Sequence, residues 1–240
     1  MNNEILYVPI FRAKEGELVA ISKLEKDAKD RILPLIDLYA PAIGNKHPIE
    51  VHLKKFFTKI ERYWQSREFI VDTSGLDPNT QIEGKHHLIW VINTLSEMGL
   101  NFYICTPLSK NMPYQNSILE MVSRGAIKNI FVRVHREDLE TVDDLNSELS
   151  RHISTLNLSS INCILLFDLK HIADEKSLED MIEILSTCLP ECQLPHWKRV
   201  VVAGSSFPVD VSKIKPNSQE RIPRLELKLW NSMLAIEPLI

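Results

Sequence analysis

Glycine is scarce in this sequence, with 7 glycines among 240 residues. The sequence contains no glycine-rich phosphate loop, no dinucleotide-binding fingerprint and no nucleophile elbow. It therefore cannot be assigned by motif to the classes of nucleotide-binding protein or hydrolase that these patterns define.

Long apolar runs are also missing, and none approaches the roughly 20 residues that a membrane span needs. The amino terminus, Met-Asn-Asn-Glu, lacks the basic region and apolar core of a secretory signal. Two of the 4 cysteines, Cys105 and Cys163, lie in apolar strand-like runs, where a free cysteine behaves as a small hydrophobe in a reducing compartment. We therefore expect a cytoplasmic protein with no membrane association.

Neither sign of charge dominates the sequence. A net charge of -4 and a pI near 6.1 give no overall attraction to nucleic acid, so we do not expect a nucleic-acid partner. The hydrophobic fraction of 44% and the charged fraction of 25% are typical of globular proteins. Because α/β barrels commonly run to roughly 200 to 250 residues undivided, we predict one domain over residues 1–240.

Short apolar runs alternate with amphipathic segments along the whole chain. Each unit of strand, polar loop and helix spans roughly 30 to 35 residues, an alternation typical of parallel strands with right-handed crossovers. The predicted strands are Ile5–Ile10, Ile32–Leu38, Glu68–Thr73, Asn101–Thr106, Asn129–Val134, Asn162–Leu169 and Arg199–Gly204. The predicted helices are Glu17–Asp30, Glu50–Gln65, Lys85–Met98, Pro113–Gly125, Asp138–Thr155, Glu175–Leu189 and Glu220–Leu234.

These seven units are one short of the eight in a closed barrel. The sequence therefore predicts a TIM-barrel-like α/β fold built from a parallel β/α repeat, as an incomplete barrel. A doubly wound open sheet is the competing architecture, because the strand count alone does not separate the two. In both architectures the functional face lies at the carboxyl ends of the strands.

Charged residues near those strand ends are the first candidates for chemistry. Buried parallel strands tolerate charge mainly where they open towards the loops. This filter selects Lys14, Asp37, Asp72, Arg133 and Asp168, which we expect to converge on one rim. Asp72 and Asp168 are candidate general bases or metal ligands, and Lys14 and Arg133 are candidate ligands for an anionic group, with Asp37 beside them. The alternative is a ring of salt bridges that only neutralises the rim.

The turn after the last predicted strand is the second candidate. Arg199–Pro208 reads as a buried strand that ends in Gly204, Ser205 and Ser206. A glycine lets the backbone approach a ligand, and the amides and hydroxyls that follow it could hold an anion. The alternative is an ordinary turn between a strand and a helix.

Cys188, Cys192 and His196 have the residue types of a zinc site. A structural zinc site normally takes four ligands, and no fourth ligand follows at a suitable spacing. We therefore predict no metal site there, and the sequence assigns no cofactor.

Four stretches, in this order, resemble the beta family, which is named after a bacteriophage beta protein and is common in bacteria and phages. They are Tyr-Val-Pro-Ile-Phe-Arg-Ala-Lys-Glu-Gly-Glu at 7–17, Arg-Ile-Leu-Pro-Leu-Ile-Asp at 31–37, Ala-Gly-Ser-Ser-Phe-Pro at 203–208, and Arg-Ile-Pro-Arg-Leu-Glu at 221–226 with Trp230. Lys14, Asp37 and the glycine-serine turn lie at positions of these motifs. The resemblance implies no established reaction, and it places the chain in phage-related or antiviral-defence biology.

Members of the family typically continue into a segment with Gly-Asp-Tyr that would supply an eighth strand, and this chain stops at Ile240 without it. The resemblance therefore implies an open barrel edge, filled by Ser232–Ile240, by a second copy or by a different protein.

Together these observations predict a phage-related or defence-associated cytoplasmic protein whose rim binds a small anionic ligand, a phosphate or nucleotide. One alternative is a non-catalytic subunit that docks a protein partner, or a copy of itself, at the open edge. The other is a metal-assisted hydrolase or lyase that uses the aspartates.

Overall fold

The computed structural model describes residues 7–40, 48–109, 111–127, 130–141, 144–192, 196–208, 215, 217–219 and 221–236. The chain divides into two compact units, Met1–Phe131 and Val132–Ile240. Each unit alternates strands with helices.

The first unit has four strands that pair in parallel, in the order in which they occur along the chain. They are β1 (Ile10–Arg12), β2 (Leu35–Tyr39), β3 (Phe69–Gly75) and β6 (Phe102–Pro107). The helices are α1 (Glu15–Ser22), α2 (Lys26–Lys29), α3 (Ile49–Trp64), α4 (His87–Glu97) and α5 (Met112–Ser123). A two-residue hairpin of β4 (Gln81–Ile82) and β5 (Lys85–His86) precedes α4.

Helix α3 shows why these segments fold as they do. Its fully or nearly fully buried side chains recur every three or four residues and form the apolar stripe that packs on the core: Leu53, Phe56, Phe57, Ile60 and Trp64. Polar residues occupy the opposite face, so burial of the stripe stabilises the helix more than propensity does. The predicted helix Glu50–Gln65 is confirmed to within one residue at each end.

The second unit contains three strands. The first of them, β7, begins in the last two residues of the first unit. These strands are β7 (Ile130–His135), β8 (Cys163–His171) and β9 (Arg199–Ser205), again in chain order. β8 and β9 pair in parallel. The helices are α6 (Arg136–Thr141), α7 (Leu145–Thr155), α8 (Glu175–Glu191) and α9 (Leu225–Ile236).

Several element boundaries differ from the prediction for identifiable reasons. β1 starts at Ile10 rather than Ile5, because Pro9 has no amide hydrogen to donate to a ladder; residues 5 and 6 lie outside the described part of the chain. The single helix predicted from Glu17 to Asp30 is two short helices, α1 and α2.

Two further helices also differ from the prediction. The single helix predicted over Asp138–Thr155 is two helices, α6, which already begins at Arg136, and α7. The Asp144 side chain caps α7 by accepting a hydrogen bond from the Ser147 amide at 2.9 Å. The last helix starts at Leu225, and the described residues before it, 221–224, are not helical. The predicted start at residue 220 lies outside the described residues.

The strand order separates the two architectures that the sequence left open. In each unit the strands follow chain order, without the reversal that defines a doubly wound sheet. The repeat has seven strands, one fewer than a closed barrel requires. The predicted TIM-barrel-like, incomplete parallel β/α repeat is therefore confirmed, whereas the single domain over 1–240 stays a prediction.

No helix within the described ranges is both long enough and apolar enough to span a bilayer.

Candidate functional site

Charged side chains lie at the carboxyl ends of the strands in both units. Lys14, Asp37 and Asp72 belong to the first unit, and Arg133 and Asp168 belong to the second. The structure brings together residues within each unit, and the convergence of all five on one rim stays a prediction. We call the first group, together with Arg12 and Glu17, the first-unit cluster. The second group, together with His135, Asp138 and Lys170, is the second-unit cluster.

The first-unit cluster is built on a row of paired strand positions. Arg12 of β1 pairs with Asp37 of β2, which in turn pairs with Asp72 of β3. Since paired residues of neighbouring parallel strands project to the same face, with the strands about 4.8 Å apart, the two carboxylates lie side by side. Asp72 is fully buried, and its Oδ1 accepts a hydrogen bond from the Ser74 amide at 2.7 Å.

Helix α1 adds Lys14 and Glu17 to this cluster. Lys14 is the N-cap residue of α1, directly after β1, and no side-chain hydrogen bond caps the helix. Burial raises the pKa of Glu17, against the attraction of Lys14 and Arg12, and the charge of Asp37 raises it further. The first-unit cluster, Arg12, Lys14, Glu17, Asp37 and Asp72, therefore combines two cations with three carboxyl groups.

The second-unit cluster is organised by the buried ion pair of Arg133 and Asp168. Arg133 Nε and Nη2 donate to Asp168 Oδ2 at 3.0 and 2.6 Å, and the Lys170 amide donates to Oδ1 at 2.9 Å. Burial alone would raise the pKa of Asp168, but interactions with His135, Arg133 and the Lys170 amide lower it to about 2. Asp168 is therefore an ionised carboxylate whose oxygens are both hydrogen-bonded.

The remaining members of this cluster surround the ion pair. The His135 ring places Nδ1 3.6 Å from Asp168 Oδ2. The His135 amide donates to Asp138 Oδ2 at 2.8 Å, and Lys170 Nζ pairs with Glu137 at 2.8 Å. We define the second-unit cluster as Arg133, His135, Asp138, Asp168 and Lys170.

The glycine-serine turn has structural contacts of its own. A Cβ atom on Gly204 would lie 3.0 Å from Ile172 Cδ1, so the glycine allows close packing of β9. Ser206 Oγ donates to the Pro223 carbonyl at 2.7 Å and is hydrogen-bonded to Glu226, and Ser205 Oγ accepts from the Phe207 amide at 3.1 Å. These contacts fit the ordinary turn, and the ligand-binding role of the turn stays a prediction.

The cysteines near the end of α8 are protonated thiols. Cys192 Sγ donates to the Cys188 carbonyl at 3.1 Å, and burial raises the pKa of Cys192 to about 12. No group of three metal-ligating side chains occurs in the part of the chain that the structure describes.

Sequence reasoning missed five cluster members: Arg12, Glu17, His135, Asp138 and Lys170. His135 follows Arg133 by two residues in β7, so strand alternation places the two side chains on the same face and could have identified His135. Glu17 carried no comparable signal, because its proximity to Asp37 depends on how α1 folds back over the strands.

Chain-ordered parallel strands with charge at their carboxyl ends define a barrel-type α/β protein. The chain belongs to the Beta protein family, whose family model matches residues 7–238. The resemblance found in the four sequence stretches is thereby confirmed. No curated protein matches the sequence significantly.

Proposed function

We propose that this chain is a phage-related cytoplasmic protein that binds a small anionic ligand, a phosphate ester or nucleotide, at the carboxyl ends of its strands. The association with phages is suggested by the family to which the chain belongs, and a role in antiviral defence stays a prediction. The ligand class is supported by the start of α1.

The observation that carries the proposal is the uncapped amino terminus of α1. The first backbone amides of a helix have no intrahelical partner and, with the helix dipole, favour an anion. Lys14 stands at the N-cap with extended backbone, where a capping serine or aspartate is usual. A Cβ atom built on Gly16 meets nothing within 4 Å, so the first turn is open.

The negative charge of the two glutamates in this first turn, Glu15 and Glu17, is reduced by their surroundings. Glu15 pairs with Lys59 at 2.7 Å, which offsets its negative charge. Burial raises the pKa of Glu17, which favours its neutral form. Lys14 and Arg12 are therefore the charges best placed to meet a phosphate there.

Thermal unfolding with a panel of ligands tests this proposal. Nucleoside mono-, di- and triphosphates and sugar phosphates are compared with the parent nucleosides and sugars. A ligand at about 100 times its Kd stabilises the folded state by about 2.7 kcal/mol, which raises the Tm by roughly 5 to 10 °C for a chain of this size. Only the phosphorylated compounds are expected to do so.

Two lysines of the same helix provide matched variants. Lys14→Ala is expected to weaken binding about tenfold, since hydrogen bonds to charged groups contribute about 1.5 to 3 kcal/mol. Lys23→Ala, at the carboxyl end of α1, is expected to bind as the parent does. A panel without any stabilising compound, or equal binding by both variants, contradicts the proposal.

A second candidate function, an interaction subunit, is favoured by helix α9. The helix buries one stripe, Leu225, Leu229 and Met233. Its opposite side exposes a second apolar stripe of Leu227, Trp230 and Leu234, with exposures of 47%, 37% and 39%. A helix that is apolar on two sides normally packs against two partners, and β9, on which α9 packs, is the last strand in the sheet order.

Native mass spectrometry of protein purified gently from its host tests this candidate. A dimer or a defined second protein is expected in the parent spectrum. Trp230→Glu should release that partner, whereas Leu24→Glu, at a site with the similar exposure of 38% in the first unit, should retain it. A bare monomer, or equal retention by both variants, argues against the interaction subunit. The metal-assisted hydrolase or lyase stays an alternative prediction without a further observation in its favour.

A further inference from the structure

Strand β7 presents two polar side chains to Asp168. Arg133 and His135 are two residues apart and therefore lie on the same face of the strand. Arg133 holds Asp168 Oδ2 through two hydrogen bonds, and His135 Nδ1 lies 3.6 Å from the same oxygen. A histidine held between a carboxylate and solvent is the arrangement that orients an imidazole for proton transfer.

Asp168 itself is a poor proton acceptor. Its two oxygens accept three hydrogen bonds, from Arg133 and from the Lys170 amide. After the opposing effect of burial, these interactions and His135 lower its pKa to about 2. The carboxylate therefore stays ionised at neutral pH, and its role is to position neighbouring side chains and not to accept a proton.

The backbone beside Asp168 is strained in a way that fixes this carboxylate. The pairing of β8 with β9 shifts register between Asp168 and His171, as at a β-bulge. Within this bulge Lys170 adopts φ 58°, a left-handed conformation that non-glycine residues rarely adopt. Bulges recur next to active sites, where they re-aim a side chain; here the bulge turns the Lys170 amide onto Asp168 Oδ1.

The His135 ring has one buried and one available nitrogen. Nδ1 is buried and has no hydrogen-bond partner among the described residues. The side chain remains 22% exposed, and Nε2 makes no hydrogen bond to any described residue. A separation of 3.6 Å exceeds a hydrogen bond, but such contacts are often long without substrate and tighten when substrate binds.

We propose that His135 and Asp168 form an acid-base dyad in which Asp168 positions the imidazole and His135 Nε2 exchanges a proton with a hydroxyl group or water. The proton leaves the O–H group for Nε2, and the bonding electron pair stays on the oxygen. The imidazolium that forms is stabilised by the Asp168 carboxylate through Nδ1–H. The substrate class is a small polar molecule that reacts at an oxygen, and the inference does not rest on the anion site of α1.

The charged groups around the ring are compatible with this role. Asp168 and Arg133 flank it from β8 and β7, and Glu137 and Asp138 approach from α6. Lys170 is paired with Glu137. The carboxylates Asp168, Glu137 and Asp138 therefore outnumber the cations Arg133 and Lys170 around the imidazole.

Reactivity towards diethyl pyrocarbonate tests the dyad without a known substrate. An unprotonated imidazole nitrogen attacks a carbonyl carbon of this reagent, a new N–C bond forms, and ethyl carbonate leaves. His171 is the control within the same molecule: it is half-buried at the end of β8, and its Nδ1 is also buried without a hydrogen-bond partner among the described residues. We expect His135 to react at least about tenfold faster, a margin below the roughly 100-fold to 10,000-fold that a positioned acid-base group contributes to catalysis, as measured by peptide mass spectrometry.

Matched variants separate positioning from exposure. Asp168→Asn should abolish the excess reactivity of His135, whereas Asp174→Asn, which keeps a side chain able to cap α8, should preserve it. Far-UV circular dichroism checks folding, because Asp168→Asn leaves Arg133 without its counter-charge.

The neutral ring's tautomer gives a second measurement on the parent chain alone. Long-range ¹H–¹⁵N spectra are expected to show the proton on Nδ1, facing Asp168, and Nε2 unprotonated. A proton on Nε2, or parent His135 reacting no faster than His171, would overturn the dyad.

Discussion

At the scale of single residues, burial lowers the pKa of three histidines, His52, His86 and His152. His152 of α7 is only 5% exposed, and its Nε2 is buried without a hydrogen-bond partner among the described residues. The pKa of His152 is lowered to about 4, chiefly by burial and to a smaller extent by the charge of Arg151, whereas Asp138 and Glu148 act in the opposite direction. The folded state therefore holds this imidazole neutral.

The stability of the protein should accordingly fall in mild acid. Because the pKa of His152 drops from its ordinary value of 6.5 in an unfolded chain to about 4 on folding, the unfolded state binds the extra proton first. Its contribution is complete above about pH 6.5 and is lost as the pH falls towards about 4, a change of about 3 kcal/mol in the free energy of unfolding. Urea unfolding at a series of pH values measures it.

Substitution of His152 tests whether this residue causes the loss of stability in mild acid. His152→Leu should flatten the acid limb, whereas the exposed His196→Gln should retain it. Burial also lowers the pKa values of His52 and His86, so some acid sensitivity remains in His152→Leu. Acid limbs of equal depth in the two variants would show that His152 is not the source.

Residues of the candidate site differ in how far the sequence could reveal them. Asp72, Arg133 and Asp168 were predicted because a continuous apolar strand tolerates a charged residue mainly near its carboxyl end. All three side chains are buried. The partners that decide their chemistry were not visible: the Lys170 amide reaches Asp168 only because the chain turns left-handed there. A conformation of that kind has no signature at a lysine.

At the scale of elements, the end of α3 carries an unusual backbone conformation. Gln65, the C-cap residue, has φ 58° and ψ −139°, while its amide still donates to the Glu61 carbonyl at 3.2 Å. Glycine reaches this region without a steric penalty, and other residues rarely adopt it. The exposed side chain makes no compensating hydrogen bond within the described ranges.

Gln65→Gly should therefore stabilise the protein. Relief of the strained conformation is expected to raise the free energy of unfolding by about 1 kcal/mol, at the low end of the cost of such conformations. Gln65→Ala keeps a Cβ atom and controls for loss of the side chain. Urea unfolding compares the two, and a glycine variant no more stable than the alanine variant would contradict the strain.

Elements were predictable where periodicity was long and uninterrupted. Helix α3 and strand β3 came out nearly as predicted, because apolar periodicity fixes the buried face. The hairpin of β4 and β5 was missed because two-residue strands carry no periodicity. The break between α1 and α2 was missed because Leu24-Glu25 interrupts the helix without proline or glycine.

At the scale of the whole molecule, the fold class followed from the regular alternation of strands and helices. The alternation predicts parallel strands, and the strand order was needed to separate a barrel repeat from a doubly wound sheet. Composition added only that the chain carries a moderate net charge of -4, which does not indicate a partner.

Chain-ordered strands also shape how the protein is made. Within each unit, every new strand finds its sheet neighbour already synthesised, so pairing joins segments that are close along the chain. Synthesis at roughly 5 to 20 residues per second delivers a repeat of roughly 30 to 35 residues in about 2 to 7 seconds. Strand pairing is usually far faster than that, so each unit can assemble strand by strand as it leaves the ribosome.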